Sequence, residues 1–186
     1  MDTKLQIIDI SKSLFQQKGY KGVGITEILN ACNISKGSFY HHFPNGKEEL
    51  LITCLQSINE TITTSIEFFF NHYPTTQEAT HAMIDKLVAD FEREGTIAAA
   101  TFTSIVSEMG SLSDPARNVC LDLYSKMQRI YSTKLVAEGF PQETAHSIAL
   151  MMTASLEGGI MLCLTQSSSD PLKIISNVIP NLFKKY

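Results

Sequence analysis

Leu51, Leu55, Ile58, Ile62, Ile66 and Phe69 divide eighteen residues into five steps. That is the 3.6-residue period of an α-helix, sustained for longer than most globular helices run. Comparable apolar spacing returns along almost the whole chain. Strand-like alternation is absent, and the Asn45-Gly46 pair lies between helical stretches, not between strands. The chain is expected to be all-α.

Start and stop residues cut this pattern into about nine helices. The first runs from about Thr3 to Lys18, with Ile7, Ile8, Ser11, Leu14 and Phe15 on one face and Gly19 in a left-handed stop position. Thr26 is read as the N-cap of a short second helix that stops near Cys32-Asn33, Asn33 being a plausible left-handed residue. Ser35 caps a third short helix, Lys36 to about His42. The long striped helix starts near Gly46-Lys47 and ends before Pro74. Thr75-Thr76-Gln77-Glu78 has the form of a capping box and opens a helix that Gly95 closes. Further helices are expected around 97–109, from Asp114-Pro115 to about Glu138, and from Pro141 to about Gln166. A last one carries Leu172, Ile175, Val178 and Ile179, and Pro180 interrupts or ends it.

Composition limits the function. At 186 residues and 44% hydrophobic, the chain can bury a sizeable core. No uninterrupted apolar run reaches the ~18 residues of a membrane span, and Met1-Asp2-Thr3-Lys4 does not open a secretory signal. No membrane partner is expected. Cys32, Cys54, Cys120 and Cys163 are scattered, so neither a zinc site nor a disulfide framework is expected; reduced thiols in a cytoplasmic protein are. Net charge is −4, which argues against bulk attachment to a polyanion. The charge is uneven: residues 1–50 carry six lysines against five acids, and the remainder nine bases against fourteen. Any contact with nucleic acid would be local and confined to the first quarter of the chain.

Residues 26–43 supply that locality. Two short helices joined by a turn of three or four residues make a helix-turn-helix. Ile28, Ala31 and Ile34 are expected to lock the pair, with Ala31 small at the crossing. The second helix begins with Lys36, a cation beside a helix N-terminus, and with Gly37, which permits close backbone approach. Ser38, Tyr40, His41 and His42 bring hydrogen-bonding groups suited to phosphates and base edges. Spacing alone leaves a plain helical hairpin with ordinary polar residues equally open.

Residues 5–51 resemble the amino-terminal domain of TetR-family transcriptional regulators. The likeness runs through Ile7 to Phe15, Gly19-Tyr20, Ile25-Thr26, Ile28, Ala31 and Ile34-Ser35. It continues through Lys36-Gly37-Ser38-Phe39-Tyr40-His41-His42-Phe43 and Lys47-Glu48-Glu49-Leu50-Leu51. Asn33 stands where the family usually has Gly, and Leu29 where Ala is common. Pro44-Asn45-Gly46-Lys47 is one residue longer than the usual turn, and resembles the LmrA- and YxaF-type multidrug-responsive repressors.

The resemblance implies a three-helix DNA-binding domain over residues 1–46 and a helical bundle for ligand binding and dimerisation over 47–186. The third helix would enter the major groove of double-stranded operator DNA, and a homodimer would read a pseudo-palindrome. In matched positions Thr26, Tyr40 and Lys47 look like phosphate contacts; Lys36, Gly37 and Ser38 look like groove contacts; His41 joins either set. Phe39 and Phe43 are expected in the core.

The bundle holds six Met and seven Phe, which suit an adaptable apolar pocket as well as ordinary core filling. Candidates to line a pocket for a small hydrophobic or aromatic effector are Phe68, Phe102, Met109, Tyr124, Met127, Met152 and Glu157. Glu108 or Glu157 could offset a cationic effector, though a solvated or interface carboxylate is the favoured reading of either. Such a ligand would release the operator by favouring another dimer geometry. Gly158-Gly159 sits inside an expected helix, where each Gly costs roughly 1 kcal/mol relative to Ala, so a close helix approach is expected there. With Ile148, Leu156, Ile160, Cys163, Ile175, Val178 and Ile179 it resembles the family's dimer interface. Packing within one subunit is the alternative.

No catalytic residues, metal or cofactor are expected. Gly-x-Ser-x-Gly is absent, Gly22-Val23-Gly24 lacks a third glycine, and Gly46-Lys47 precedes Glu48 where a P-loop needs Ser or Thr. The competing non-enzymatic function is a helical carrier of apolar ligands with no DNA role.

Overall fold

A computed structural model describes residues 2–108, 110, 112–179 and 183, with 98–101 described by their backbone alone. Met109 and Pro180, named above, lie outside the described residues. Among the described residues there are nine α-helices and no strand. They are α1 (Thr3–Gly22), α2 (Ile25–Cys32), α3 (Lys36–His42), α4 (Lys47–His72), α5 (Thr76–Glu94), α6 (Ala98–Val106), α7 (Asp114–Ala137), α8 (Gln142–Gln166) and α9 (Asp170–Val178).

Most boundaries follow from local chemistry. The Ser35 hydroxyl accepts from the Ser38 N–H at 3.1 Å, and the Thr75 hydroxyl from the Glu78 N–H at 3.2 Å. Asn33 is left-handed at φ 52°, and so is Gly95 at φ 68°.

Three local readings are corrected. Thr26 is not an N-cap: Gly24 holds that place, and its carbonyl accepts from the Glu27 and Ile28 N–H groups. Ala31 is exposed, because the inward side of α2 runs through Ile28 and Cys32, four residues apart. Gly19 has a positive φ of 70° but an extended ψ of 166°, so α1 breaks there and resumes for one short turn instead of stopping.

By packing, the chain forms two compact units. One is Met1–Glu60 with Thr101–Leu121, the other Thr61–Ala100 with Asp122–Tyr186. This packing division does not fall at residue 46: the first half of α4 belongs with α1–α3.

In the first unit Ile7, Phe15, Ile28, Phe39, Phe43 and Leu50 are fully buried. Each such side chain contributes roughly 1.5–3 kcal/mol by leaving water. In the second unit the α4–α5 junction is held from α7. The Lys134 ammonium donates to the Phe70 and Tyr73 carbonyls at 2.7 and 2.6 Å, at the end of α4. The Glu138 carboxylate accepts from the Thr76 hydroxyl at 2.7 Å and from the Thr76 N–H, at the start of α5. A cation thus meets a helix C-terminus and an anion a helix N-terminus, the arrangement the helix dipoles favour.

Helix α8 is long and apolar enough to cross a membrane by length and composition alone. Ala145, Ile148, Ala149, Met152, Leu156 and Cys163 along it are buried inside the chain.

Candidate nucleic-acid interface and cavity

Helix α3 is two-sided. Phe39 and Phe43 turn inward, with ring centroids 5.7 Å apart. Lys36, Gly37, Tyr40 and His41 are exposed on the other side, with Ser38 half-buried at the edge. The Lys36 ammonium lies 5.9 Å from the Tyr40 ring centroid. A Cβ on Gly37 would meet nothing nearer than the Ser35 hydroxyl at 3.8 Å, so the chain's own packing does not require a glycine there. Thr26 is exposed on α2, which Lys18 joins to α1 through an ion pair with Glu27.

Lys47 is placed differently from the rest of that set. Its ammonium donates to the Tyr20 and Val23 carbonyls, both at 2.9 Å, and lies 4.1 Å from the Tyr20 ring centroid. Burial lowers the pKa of that ammonium, and the Glu108 carboxylate opposes the shift. The Tyr20 phenol is pushed up by burial first, then by Glu48 and Glu108. Lys47 therefore ties the start of α4 to the end of α1.

The second unit holds a partly open cavity of about 220 Å³ between α4, α5, α7 and α8. Ile66, Phe69, Leu87, Met127 and Leu156 give it apolar walls; Lys86, Asp90 and Glu157 give it charge. Asp90 is held below the usual carboxylate range, first by its hydrogen bond from Lys86 and then by Arg93. Tyr131 also lines the cavity, fully buried, and its hydroxyl contacts the Met83 sulfur at 3.9 Å. Burial, reinforced by Glu157, keeps this phenol protonated far above its ordinary range.

Of the residues expected around a ligand, Met127 and Glu157 line this cavity. Phe68 does not: it is 52% exposed and stacks on His72 at 4.2 Å, while its neighbour Phe69 faces the cavity. One residue is a 100° turn about a helix, so adjacent phenylalanines cannot share a face. Phe102 is buried in the first unit, Met152 is buried in the second without lining the cavity, and half-buried Tyr124 does not line it. Ile62, Ile66 and Phe69 were already visible as the distal part of the α4 stripe. Tyr131 had no signal in the sequence.

The expected dimer residues are largely used within the chain. Ile148, Leu156, Gly159, Ile160, Cys163 and Ile179 are buried, and Ile175 is half-buried. Gly159 packs against α9: a Cβ there would stand 2.5 Å from Ile175 Cδ1 and 3.0 Å from Leu172 Cδ2. Gly158 and Val178 are exposed. Beside Val178, the apolar residues that α8 and α9 present outward are Leu150, Met151, Met161, Leu162 and Ile174, each between 43% and 63% exposed.

Residues 7–54 match the family of bacterial regulatory proteins of the TetR type. Residues 76–178 match the C-terminal domain of LmrA/YxaF-like transcriptional regulators. The chain is 32% identical over 184 residues to the uncharacterised helix-turn-helix regulator YxaF of Bacillus subtilis, covering 99% of this chain and 96% of YxaF. It is also 32% identical over 184 residues to the regulator LmrA of the same organism, covering 99% and 98%. The crystal structure of a TetR transcriptional regulator from Legionella pneumophila superposes with a TM-score of 0.85 at 20% identity, covering 97% of each chain. The chain belongs to the TetR family of transcriptional regulators, and is a DNA-binding regulator rather than an enzyme.

Proposed function

We propose that the protein is a cytoplasmic, homodimeric repressor that holds a pseudo-palindromic operator and releases it when a hydrophobic or aromatic molecule fills the cavity. The observation that carries this reading is the outward strip of α3: cationic, hydrogen-bonding and unused by the core. Tyr40 and Thr26 would meet phosphates, Lys36, Gly37 and Ser38 base edges, and His41 either. Lys47 would contribute by fixing α4 against α1. The α8–α9 face of Leu150, Met151, Met161, Leu162, Ile174 and Val178 would meet the same face of a second copy about a two-fold axis, since exposed apolar residues so grouped mark an interaction surface. In the cavity, apolar walls favour an apolar body, and Lys86, Asp90 and Glu157 orient a polar end.

Selection of duplexes from a random pool by the purified protein tests the reading. Enrichment of an inverted repeat bound by a dimer, with release by apolar ligands that change the protein's tyrosine fluorescence in a Tyr131-dependent way (absent in Tyr131→Phe), is expected. Enrichment of no sequence would overturn it.

A further inference from the structure

Three interactions converge on the last turn of α1. The break at Gly19 frees the N–H groups that follow it, and the Glu108 carboxylate takes both. Its Oε1 accepts from the Tyr20 N–H at 2.7 Å and its Oε2 from the Lys21 N–H at 3.2 Å. The carboxylate passes so close to Gly19 that a Cβ there would stand 2.2 Å from Oε1. Any other residue at position 19 would push the Glu108 carboxylate from this place and would also be strained at φ 70°. On the carbonyl side, Lys47 donates to Tyr20 and Val23. The turn therefore has an anion on its amides and a cation on its carbonyls, with charge-assisted hydrogen bonds at both.

The location gives the clamp a consequence. Val23-Gly24 is the two-residue link into α2, and Lys47 is the first residue of α4, after α3. The entry to the helix-turn-helix and the exit from it are thus tied together at one point. Glu108, which completes the tie, comes from the connection between α6 and α7, 88 residues from Tyr20 in sequence but within the same packing unit.

We propose that Glu108 is a positioning residue for DNA recognition: without touching DNA, it holds the Tyr20 and Lys21 amides so that α3 is presented in one orientation. This rests on α3 being the reading helix. Two effects of removing Glu108 have opposite signs. Loss of a negative charge strengthens attraction to a polyanion, whereas loss of the clamp weakens a site-specific fit.

The experiment uses the full-length protein and a duplex enriched from a random pool by the wild type. Glu108→Ala and the milder Glu108→Gln are compared with wild type for affinity to that duplex, affinity to a scrambled duplex, and amide exchange. Expected are a roughly 10-fold or greater loss on the enriched duplex, no loss on the scrambled one, and faster exchange at Tyr20 and Lys21. Circular dichroism confirms that a variant is folded; if Glu108→Ala is not, Glu108→Gln gives the result, and the exchange readout needs no DNA. Unchanged or tighter binding to the enriched duplex, or unchanged exchange at the two amides, overturns the proposal. Failure of the wild type to enrich any duplex overturns the DNA-reading role of α3, and this inference with it.

Discussion

Gly159 on α8 packs so closely against Ile175 on α9 that an added Cβ would stand 2.5 Å from the Ile175 Cδ1. Alanine at 159 gains about 1 kcal/mol of helix propensity but overpacks the contact, which costs roughly 1–3 kcal/mol. Gly159→Ala is expected to be net destabilising by about 1 kcal/mol in urea unfolding, as the cost exceeds the gain. A stabilised Gly159→Ala variant would show that Leu172 and Ile175 move aside freely, and that the glycine is not held by packing.

The Ser35 hydroxyl is the N-cap of α3, a helix of seven residues with little other local support. Ser35→Ala is expected to cost about 1 kcal/mol of stability, and Ser35→Asp to retain most of it. The Ser38 amide in Ser35→Ala should exchange faster with solvent, read by mass spectrometry or NMR.

Features fixed by short-range chemistry were legible in the sequence. Ser35 and Thr75 announced helix starts, Asn33 and Gly95 announced stops, and the 3.6-residue stripe announced α4. Features that depend on which helix meets which were not. The cavity selects Phe69 over Phe68 by a single step of helical phase. Ile148, Leu156 and Cys163 read as an interface because their spacing is apolar, yet spacing does not say whether the opposing helix belongs to the same chain. In the sequence Glu108 reads as a solvated or interface carboxylate before a ligand's counter-charge, and Lys47 as a phosphate contact. Both instead close on backbone groups of α1, and the Glu108 contact spans 88 residues, beyond any local pattern.

Tyr40 and Ser38 are expected to fail differently when altered. Tyr40→Phe removes a hydroxyl proposed to meet a phosphate, so binding to all duplexes should weaken by a similar factor, with the salt dependence unchanged because the phenol carries no charge. Ser38→Ala and Lys36→Ala should shift sequence preference at one or two base pairs per half-site. Parallel selections from one random pool, analysed position by position, separate the two outcomes. Identical enriched motifs for wild type and both base-edge variants would remove Lys36 and Ser38 from base readout.

Met161 and Leu150 stand 43% and 56% exposed on the outward face of α8. Burying an unpaired lysine ammonium in an apolar interface is strongly unfavourable, and a two-fold axis repeats each substitution on both sides of it. Met161→Lys with Leu150→Lys should convert the proposed dimer to a folded monomer, read by light scattering at micromolar concentration. Affinity for a full inverted repeat should fall much further than affinity for an isolated half-site. A double variant that stays dimeric would place the interface elsewhere.

Cys54 and Cys120 make stability depend on pH in the alkaline range. Burial pushes the Cys54 thiol up to about 12 and the Cys120 thiol up to about 11, from an ordinary value of 9.0. Below the ordinary value both folded and unfolded chains keep these protons, and the thiols' contribution is fully present. Above it the unfolded chain ionises and the folded chain does not, so the unfolded state binds fewer protons and stability falls as pH rises. Each thiol adds a slope of about 1.4 kcal/mol per pH unit between its unfolded and folded pKa. A Cys54→Ala, Cys120→Ala variant should start less stable, because it loses buried volume, and then lose stability more slowly above pH 9.0. Buried Tyr131 titrates in the same direction in both proteins, so the difference between the two urea-unfolding curves isolates the thiols. A difference that holds constant from pH 9.0 to about 11 would mean that these sulfurs ionise as readily in the folded chain as in the unfolded one.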